Sequence, residues 1–247
     1  MSDNPQDISP SLGGPENQPR PQNDPALSRA HLLRAATINL GNPDPYIQEE
    51  ALQTVINLQA THSENDPDEL ARIVVLGNLL THQNPVIRNR AIQTLGETTH
   101  PTALKLLNQH LNDSDFGVRY QVLCALSNSD RGLEIIVDTL SPETFIPHRF
   151  DITTALIILM EHRVLTAIPT IADHAIRGDL AEIRSTATNC LGLIGSKDTI
   201  PYRLVALYDE DEETRNLAFT PSDTIEIDLP DPRDSRSRLN ERIMNQE

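Results

Sequence analysis

Two arginines that stand two residues apart are the first candidates for chemistry in this sequence. Arg88 and Arg90 flank Asn89 in the stretch NPVIRNRAIQTLGE, residues 84–97. Two guanidinium groups beside an amide could hold an anion such as phosphate. Alternatively, Arg88 is structural, with its stem against apolar neighbours and its head on a turn carboxylate or carbonyl. The choice depends on whether the motif is unique in the chain.

The other reactive residue types do not stand at spacings typical of a catalytic or metal site. None of the eight histidines belongs to an H-E-x-x-H motif or pairs with a cysteine at a ligand spacing. Cys124 and Cys190 form no C-x-x-C pair, and a reducing compartment is the expected setting. No nucleophile elbow, Walker loop or dinucleotide fingerprint is present. We therefore expect no catalytic residue, no metal and no cofactor; a metal site assembled across several segments is a less favoured alternative.

The composition argues against two classes of partner. The chain has 36 acidic and 20 basic residues and a formal net charge of −16, which repels nucleic acid and anionic membrane surfaces. No segment approaches the roughly 18 consecutive apolar residues that a membrane span needs, and the first ten residues do not resemble a secretory signal. We therefore expect a cytoplasmic protein with no membrane insertion and no nucleic-acid partner.

The stretch around Arg88 recurs along the chain. We call the position of Arg88 in each copy the register point. An apolar residue that is small or β-branched stands three residues after each register point, and Val or Leu stands seven residues after the first five. These spacings lie on one face of a helix, so each register point predicts an amphipathic helix, and another apolar helix precedes each of the last five. The six register points are Gln48, Arg88, Arg119, Arg149, Arg184 and Arg215.

The repeats predict three regions. Helix–turn–helix units occupy residues 27–220, with insertions at 60–68 and near 160–165. The segment 1–26 is a Pro- and Asn-rich tail and 221–247 is a charged tail, and neither has the apolar content needed to offset the entropy of ordering. Within the second tail, residues 223–229 (DTIEIDL) alternate like a short strand and are a candidate for strand addition to a partner.

A two-helix unit with VR-x-x-A-x-x-x-LG after an Asp or Asn turn resembles a HEAT repeat. It is most similar to the short HEAT-like repeats of phycobilin lyase subunits. The resemblance implies an all-α fold, a right-handed, armadillo-like α-solenoid of about six two-helix repeats. It also implies a possible ligand, because these lyases bind an open-chain tetrapyrrole and act on a phycobiliprotein cysteine. Arg119 and Arg149 would then be near enough to bind the propionates.

Recurrence favours a structural role for the arginines. A residue present at every joint of a stack is better placed to hold the stack together than to do unique chemistry, although a phosphate clamp is a less favoured alternative. Each arginine is expected at the edge of the apolar face, within reach of a turn carboxylate or carbonyl of its own or the next unit. The residues four positions before the register points predict helix caps: Asp44, Asn84, Asp115 and Asp211. The predicted arginine ladder consists of Arg88, Arg119, Arg149, Arg184 and Arg215.

Differences among the copies predict a binding surface. The positions one, five and eight residues after the register point face away from the core, and the resemblance places these second helices on the concave side. In the second and fifth copies they are polar, with Asn89, Gln93, Ser185 and Asn189. Exposed aromatic and apolar groups in the third and fourth copies would suggest a binding hot spot. These candidates are Tyr120, Cys124, Phe150 and Ile157.

Two of these assignments have alternatives. Phe150 could instead pack under the preceding loop, in which case it would belong to the core. Cys124, five residues after its register point, is expected to be more exposed than Cys190, which stands six residues after its own and is expected in the core.

Three functions follow from this reading. The first is a protein–protein interaction scaffold or adaptor with no catalysis of its own, and its partner is another protein. The alternative is a phycobilin lyase-like subunit that binds a linear tetrapyrrole. The third is a DNA-binding helical solenoid of the glycosylase kind, against which the net charge of −16 and the absence of Trp both count.

Overall fold

The helices predicted from the repeat register are present in the computed structural model. The structure describes residues 25–58, 65–141 and 149–218, without the side chains of residues 25–28, 45, 149 and 150. These residues contain twelve α-helices and no strand, which confirms the all-α prediction. Short 3₁₀ turns at Leu165–Ala167 and Lys197–Thr199 lead into α9 and α11. The α-helices are α1 (Pro25–Leu40), α2 (Pro45–Asn57), α3 (Pro67–Leu79), α4 (Pro85–Leu95), α5 (Pro101–Gln109), α6 (Phe116–Leu126), α7 (Asp130–Thr139), α8 (Arg149–Glu161), α9 (Ile168–Arg177), α10 (Ala181–Ile194), α11 (Ile200–Ala206) and α12 (Glu212–Leu217).

The helices belong to two compact units, Met1–Leu58 and Gln59–Glu247. In the first unit α1 packs against α2. In the second unit α3, α5, α7, α9 and α11 are the first helices of the repeats, and α4, α6, α8, α10 and α12 are the second helices. The second helices pack in succession, α4 on α6, α6 on α8, α8 on α10 and α10 on α12. This succession of helix pairs is an α-solenoid, as the sequence predicts.

Capping residues determine where most second helices begin. The side chains of Asp44 and Asn84 accept hydrogen bonds from the backbone N–H two residues ahead, and those of Asp115 and Asp211 from the N–H three residues ahead. All four predicted caps are confirmed. Each satisfies a backbone donor that the first helical turn leaves without a partner, a contribution of about 1 kcal/mol.

The core of the second unit follows the register. Ala91, Val122 and Ala187, three residues after their register points, have no exposed surface. Leu95 and Leu126, seven residues after theirs, are equally buried. A fully buried Leu side chain contributes roughly 1.5–3 kcal/mol, so the repeating apolar face is the main source of stability in the stack.

Small residues set the spacing between neighbouring second helices. At the end of α4, a Cβ built on Gly96 would lie 2.8 Å from the Cβ of Ala125 in α6. A similar constraint acts where α7 follows α6, since a Cβ on Gly132 would lie 1.9 Å from the carbonyl oxygen of Leu126. Neither position has room for a side chain, so both glycines are required by packing.

Some predicted features lie outside the described residues. These are the tail 1–26, apart from the first two residues of α1, and the tail 221–247 with its predicted strand at 223–229. Most of the insertion at 60–68 is also outside, although α3 begins within it at Pro67. Among the described helices, none combines the length and the apolar content needed to cross a bilayer.

Candidate functional site

Arg88 joins α4 to the turn that precedes α6. Its Nε and Nη2 donate to the two carboxylate oxygens of Asp113 at 2.9 and 2.7 Å. Its Nη1 donates to the carbonyl oxygens of His82 and Gln83 at 2.8 and 3.2 Å. The Arg88 and Asp113 side chains are 11% and 9% exposed. An outside anion would have to displace Asp113 from a paired, nearly buried contact, so the geometry does not favour a phosphate clamp here.

The bond to a backbone carbonyl recurs at the other described register points. Arg119 Nη1 donates to the carbonyl of Asp113 at 2.8 Å, and Arg215 Nη1 donates to the carbonyl of Asp209 at 2.7 Å. Arg184 and Gln48 make the equivalent bonds, at 3.0 and 2.7 Å. In every case the acceptor is six residues before the register point. The position therefore ties the start of each second helix to the turn that leads into it.

Two aspartates link successive arginines. Asp113 and Asp209 each stand six residues before a register-point arginine. The carboxylate of Asp209 binds the preceding arginine, with Arg184 Nη2–Oδ1 and Nε–Oδ2 distances of 3.0 and 3.0 Å, while its carbonyl accepts from the following one. Burial alone would raise the pKa of Asp113, but hydrogen bonds from Arg88 and from the backbone of Asp115 outweigh it and the pKa is lowered. The aspartate is therefore held in its charged form, matched to the guanidinium.

The joint between the third and fourth copies has a different partner. Arg119 Nε donates to Asp151 Oδ2 at 2.7 Å, and Asp151 lies in the first turn of α8 instead of in a turn six residues before a register point. The second oxygen of Asp151 is buried and has no hydrogen-bond partner. The contact is thus single, whereas Arg88 and Arg184 each bond both oxygens of their aspartate. The side chain of Arg149, the fourth member of the predicted ladder, is not described.

Exposed apolar side chains lie on α6 and α8. Tyr120 is 48% exposed and Ile157 is 41% exposed, and the two helices pack against each other. Cys124 is half-buried, and the side chain of Phe150 is not described. Phe116, which the register did not single out, is 52% exposed, and its ring centroid lies 6.4 Å from that of Tyr120. We call Phe116, Tyr120, Cys124 and Ile157 the aromatic surface.

Two neighbours define the chemistry of this surface. The guanidinium carbon of Arg119 lies 5.9 Å from the centre of the Phe116 ring, within the range of a cation–π contact. A hydrogen bond with Cys124 raises the pKa of the Tyr120 hydroxyl, and the charge of Glu161 contributes in the same direction. Glu161 is exposed and stands four residues after Ile157, so both lie on one face of α8 and this face carries a negative charge.

One of the four polar positions is misassigned. Gln93 is exposed and Asn89 and Asn189 are half-buried, but Ser185 is 6% exposed. The prediction that Ser185 faces outward is wrong. Its short side chain lies in the second turn of α10 and donates to the carbonyl of Glu182 at 3.2 Å, while α8 and α12 pack on the same helix.

Cys190 and three of the described histidines have structural surroundings. Cys190 is buried in the core, as predicted, and burial raises the pKa of its thiol to about 12. His82 accepts from the backbone N–H of Asn84 at 3.0 Å, and ring nitrogens of His110 and His174 lie 2.8 and 3.0 Å from the carbonyls of Leu106 and Leu140. Within the described ranges, no group of three or more His, Cys, Asp or Glu side chains is arranged to hold a metal ion.

Comparison with known proteins agrees with this architecture. Residues 73–140 match the model of the family of HEAT repeats. No curated protein sequence matches the chain.

Several solved structures are similar at low identity. The complex of CpcE and CpcF of phycocyanin lyase from Nostoc sp. PCC7120 has 16% identity and a TM-score of 0.43, over 87% of this chain and 79% of that chain. An engineered protein has 16% identity and a TM-score of 0.40, over 75% of this chain and 93% of that one. Human deoxyhypusine hydroxylase in complex with glycerol has 15% identity and a TM-score of 0.37, over 78% and 96%.

The family match covers two of the helix pairs in which the register point, the caps and the carbonyl bonds recur. Beyond the matched residues, the carbonyl bond of the register point recurs at α10 and α12, and α12 also has a side-chain cap. The chain therefore contains HEAT repeats at residues 73–140.

Proposed function

We propose that this protein is a non-catalytic interaction adaptor whose aromatic surface binds another protein. The observation that carries the proposal is the exposure of Tyr120 and Ile157 on two second helices that pack together. The equivalent face of α4 carries the polar residues Asn89 and Gln93. Single apolar side chains are also exposed on other helices, such as Val86 on α4 and Leu193 on α10, but α6 carries a pair of neighbouring exposed rings, Phe116 and Tyr120. Aromatic residues are enriched at binding hot spots.

The hydrogen bonds of Arg119, which hold the aromatic surface in place, favour binding. Arg119, which lies against the Phe116 ring, is itself fixed by bonds to Asp151 and to the carbonyls of Asp113 and Ser114. The rings of Phe116 and Tyr120 therefore stand on a backbone whose position is set by several buried bonds. Side chains held in place before association lose less conformational entropy when a partner binds.

The contacts of Arg119 bear on the tetrapyrrole alternative. A guanidinium that binds a propionate has to be accessible, but Arg119 is 5% exposed and donates to a carboxylate and two carbonyls. No contact of the described residues favours a linear tetrapyrrole over a protein segment. Absorbance after incubation with a linear tetrapyrrole tests this alternative, and a red-shifted bound species would support it.

A comparative capture experiment tests the proposal. The wild type and the variants Tyr120→Ala and Ile157→Ala are used as baits in the same extract, with Leu165→Ala as a matched control because Leu165 is 58% exposed in the turn before α9. We expect proteins retained by the wild type and the control to be lost by both surface variants. Because the mutated side chains are half exposed, the melting temperature should change by only about 2–3 °C.

Two results would contradict the proposal. Identical sets of captured proteins on all four baits would show that the aromatic surface does not bind the partner. A large fall in the melting temperature of either surface variant would show that its side chain serves the core.

A further inference from the structure

We propose that residues 233–244 of this chain dock on the aromatic surface and cover it when no partner is bound. The inference rests on the aromatic surface of the proposed function, and it adds a regulatory contact: a partner would have to displace a segment of the adaptor itself. Three properties of this segment suit the surface: its apolar pair, its positive charge and its reach.

The sequence of this segment differs from that of the rest of the chain. Residues 233–244 read RDSRSRLNERIM, with four arginines and two acidic residues, in a protein that has 36 acidic and 20 basic residues. Leu239 and Ile243 stand four residues apart, a spacing that puts two side chains on one face of a helical segment. The segment therefore combines an apolar pair with positive charge.

The aromatic surface has the complementary chemistry. Tyr120 and Ile157 offer half-exposed apolar area on adjacent helices, which suits the apolar pair of the segment. Glu161, four residues after Ile157 on the same face of α8, is an exposed anion. Arginine side chains can bind both groups, the carboxylate by paired hydrogen bonds and the aromatic ring by a cation–π contact.

The segment can reach the surface. From α12 the second helices pack in succession on α10, α8 and α6, and three interaxial distances of about 8–10 Å amount to roughly 30 Å. Residues 219–232 connect the last described residue, Ala218, to the segment, and such a length of chain spans up to roughly 45 Å when extended. A tethered segment has an effective concentration of about 1 mM, so even weak affinity would keep it bound.

Alkylation of Cys124 measures whether the surface is covered. The chain has two cysteines. Cys124 lies half-buried on the aromatic surface, and Cys190 is buried, so Cys190 serves as an internal control that should react slowly in every variant. The full-length protein is treated with iodoacetamide at pH 8, and the rate at each cysteine is followed by mass spectrometry of peptides. With a dissociation constant of about 0.1 mM and an effective concentration of about 1 mM, the docked segment should slow alkylation of Cys124 about tenfold.

Paired substitutions in the full-length chain identify the segment. Leu239→Asp with Ile243→Asp should raise the alkylation rate of Cys124 about tenfold, to that of an uncovered surface. A matched control, Ile225→Asp with Ile227→Asp, places the same charges in the other apolar stretch of residues 219–247 and should leave the rate unchanged. A synthetic peptide of residues 233–247, added at about 1 mM to the first variant, should restore the slow rate.

Several outcomes would overturn the inference. Equal rates in the wild type and the Leu239/Ile243 variant would show that the segment does not cover the surface, and an equal increase in both variants would remove the assignment to residues 233–244. Protection that grows with protein concentration would show docking on a second copy instead. The alkylation rate of Cys124 could be independent of the segment while capture of a partner still depends on Tyr120. In that case the adaptor function stands and only the docking of residues 233–244 is refuted.

Discussion

Replacing Arg88 by methionine is the most direct test of how the repeats are held together. The substitution keeps a long apolar stem but removes two bonds to the Asp113 carboxylate and two to the carbonyls of His82 and Gln83. The proposal under test is that the register-point arginines stabilise the stack. If they do, the loss should appear as a fall in the free energy of unfolding.

The structure sets the expected size of the effect. The two side chains are 11% and 9% exposed, and removing one partner of a buried ion pair costs about 3–5 kcal/mol because the other charge stays buried alone. Asp113 keeps one bond, from the backbone N–H of Asp115 at 2.9 Å, so we expect the lower end, about 3 kcal/mol. Arg88→Lys retains the charge but not the fork that bonds both oxygens, and should cost about 2 kcal/mol.

A double-mutant cycle separates the pair from other effects of each substitution. Arg88→Met, Asp113→Asn and the double variant are unfolded in urea and followed by far-UV circular dichroism, since the chain has no Trp. We expect a coupling free energy of about 2 kcal/mol and an unchanged dependence on urea. A loss below about 0.5 kcal/mol for Arg88→Met, or additive single effects, would refute the reasoning, because the contact would then add nothing to the stack.

Three further predictions use the same measurements. Asp113 has a lowered pKa in the folded protein, so its contribution to stability should be complete above about pH 4 and be lost as the pH falls through its folded value. Asp113→Asn should weaken this dependence of the unfolding free energy on acid pH. An unchanged dependence on pH would contradict the ion pair with Arg88. Gly132→Ala places a Cβ 1.9 Å from the carbonyl oxygen of Leu126 and should cost about 3 kcal/mol; a midpoint equal to that of the wild type would contradict the packing. At pH 8, Cys190, with a pKa of about 12, should be alkylated far more slowly than Cys124 in native protein and at a similar rate in urea.

The sequence predicts the second helices well because the same apolar spacing and the same capping residues recur in successive repeats. A single amphipathic stretch is ambiguous, but the residues three and seven positions after the register point recur in successive copies, and caps such as Asn84 and Asp115 mark where helices begin. The structure places the second helices where these signals put them. The first helices are indicated by apolar runs alone. The sequence does not show that Gly132 lacks room for a side chain, because that depends on how closely two helices approach.

The sequence predicts which chemical groups the arginines bind, but not which residues supply them. A turn carboxylate was expected, and an Asp six residues before the next arginine was a signal that could have identified Asp113 and Asp209. Asp151 has no such spacing, because it binds from the first turn of a helix. The register does not single out Phe116, because this residue precedes its register point. Its position four residues before Tyr120 nevertheless places both rings on one face of α6.

The spacing of six residues between an aspartate and the following arginine has a consequence for how such a protein can change in length. Asp113 and Asp209 each accept from one repeat with the side chain and from the next with the backbone. Duplication of a whole unit that keeps this spacing would supply both halves of every new bond, so the array could grow without redesign of its neighbours. Deletion of one residue between Asp113 and Arg119 would disturb two joints at once, which makes the turns before the second helices the least tolerant places for a frame-preserving deletion.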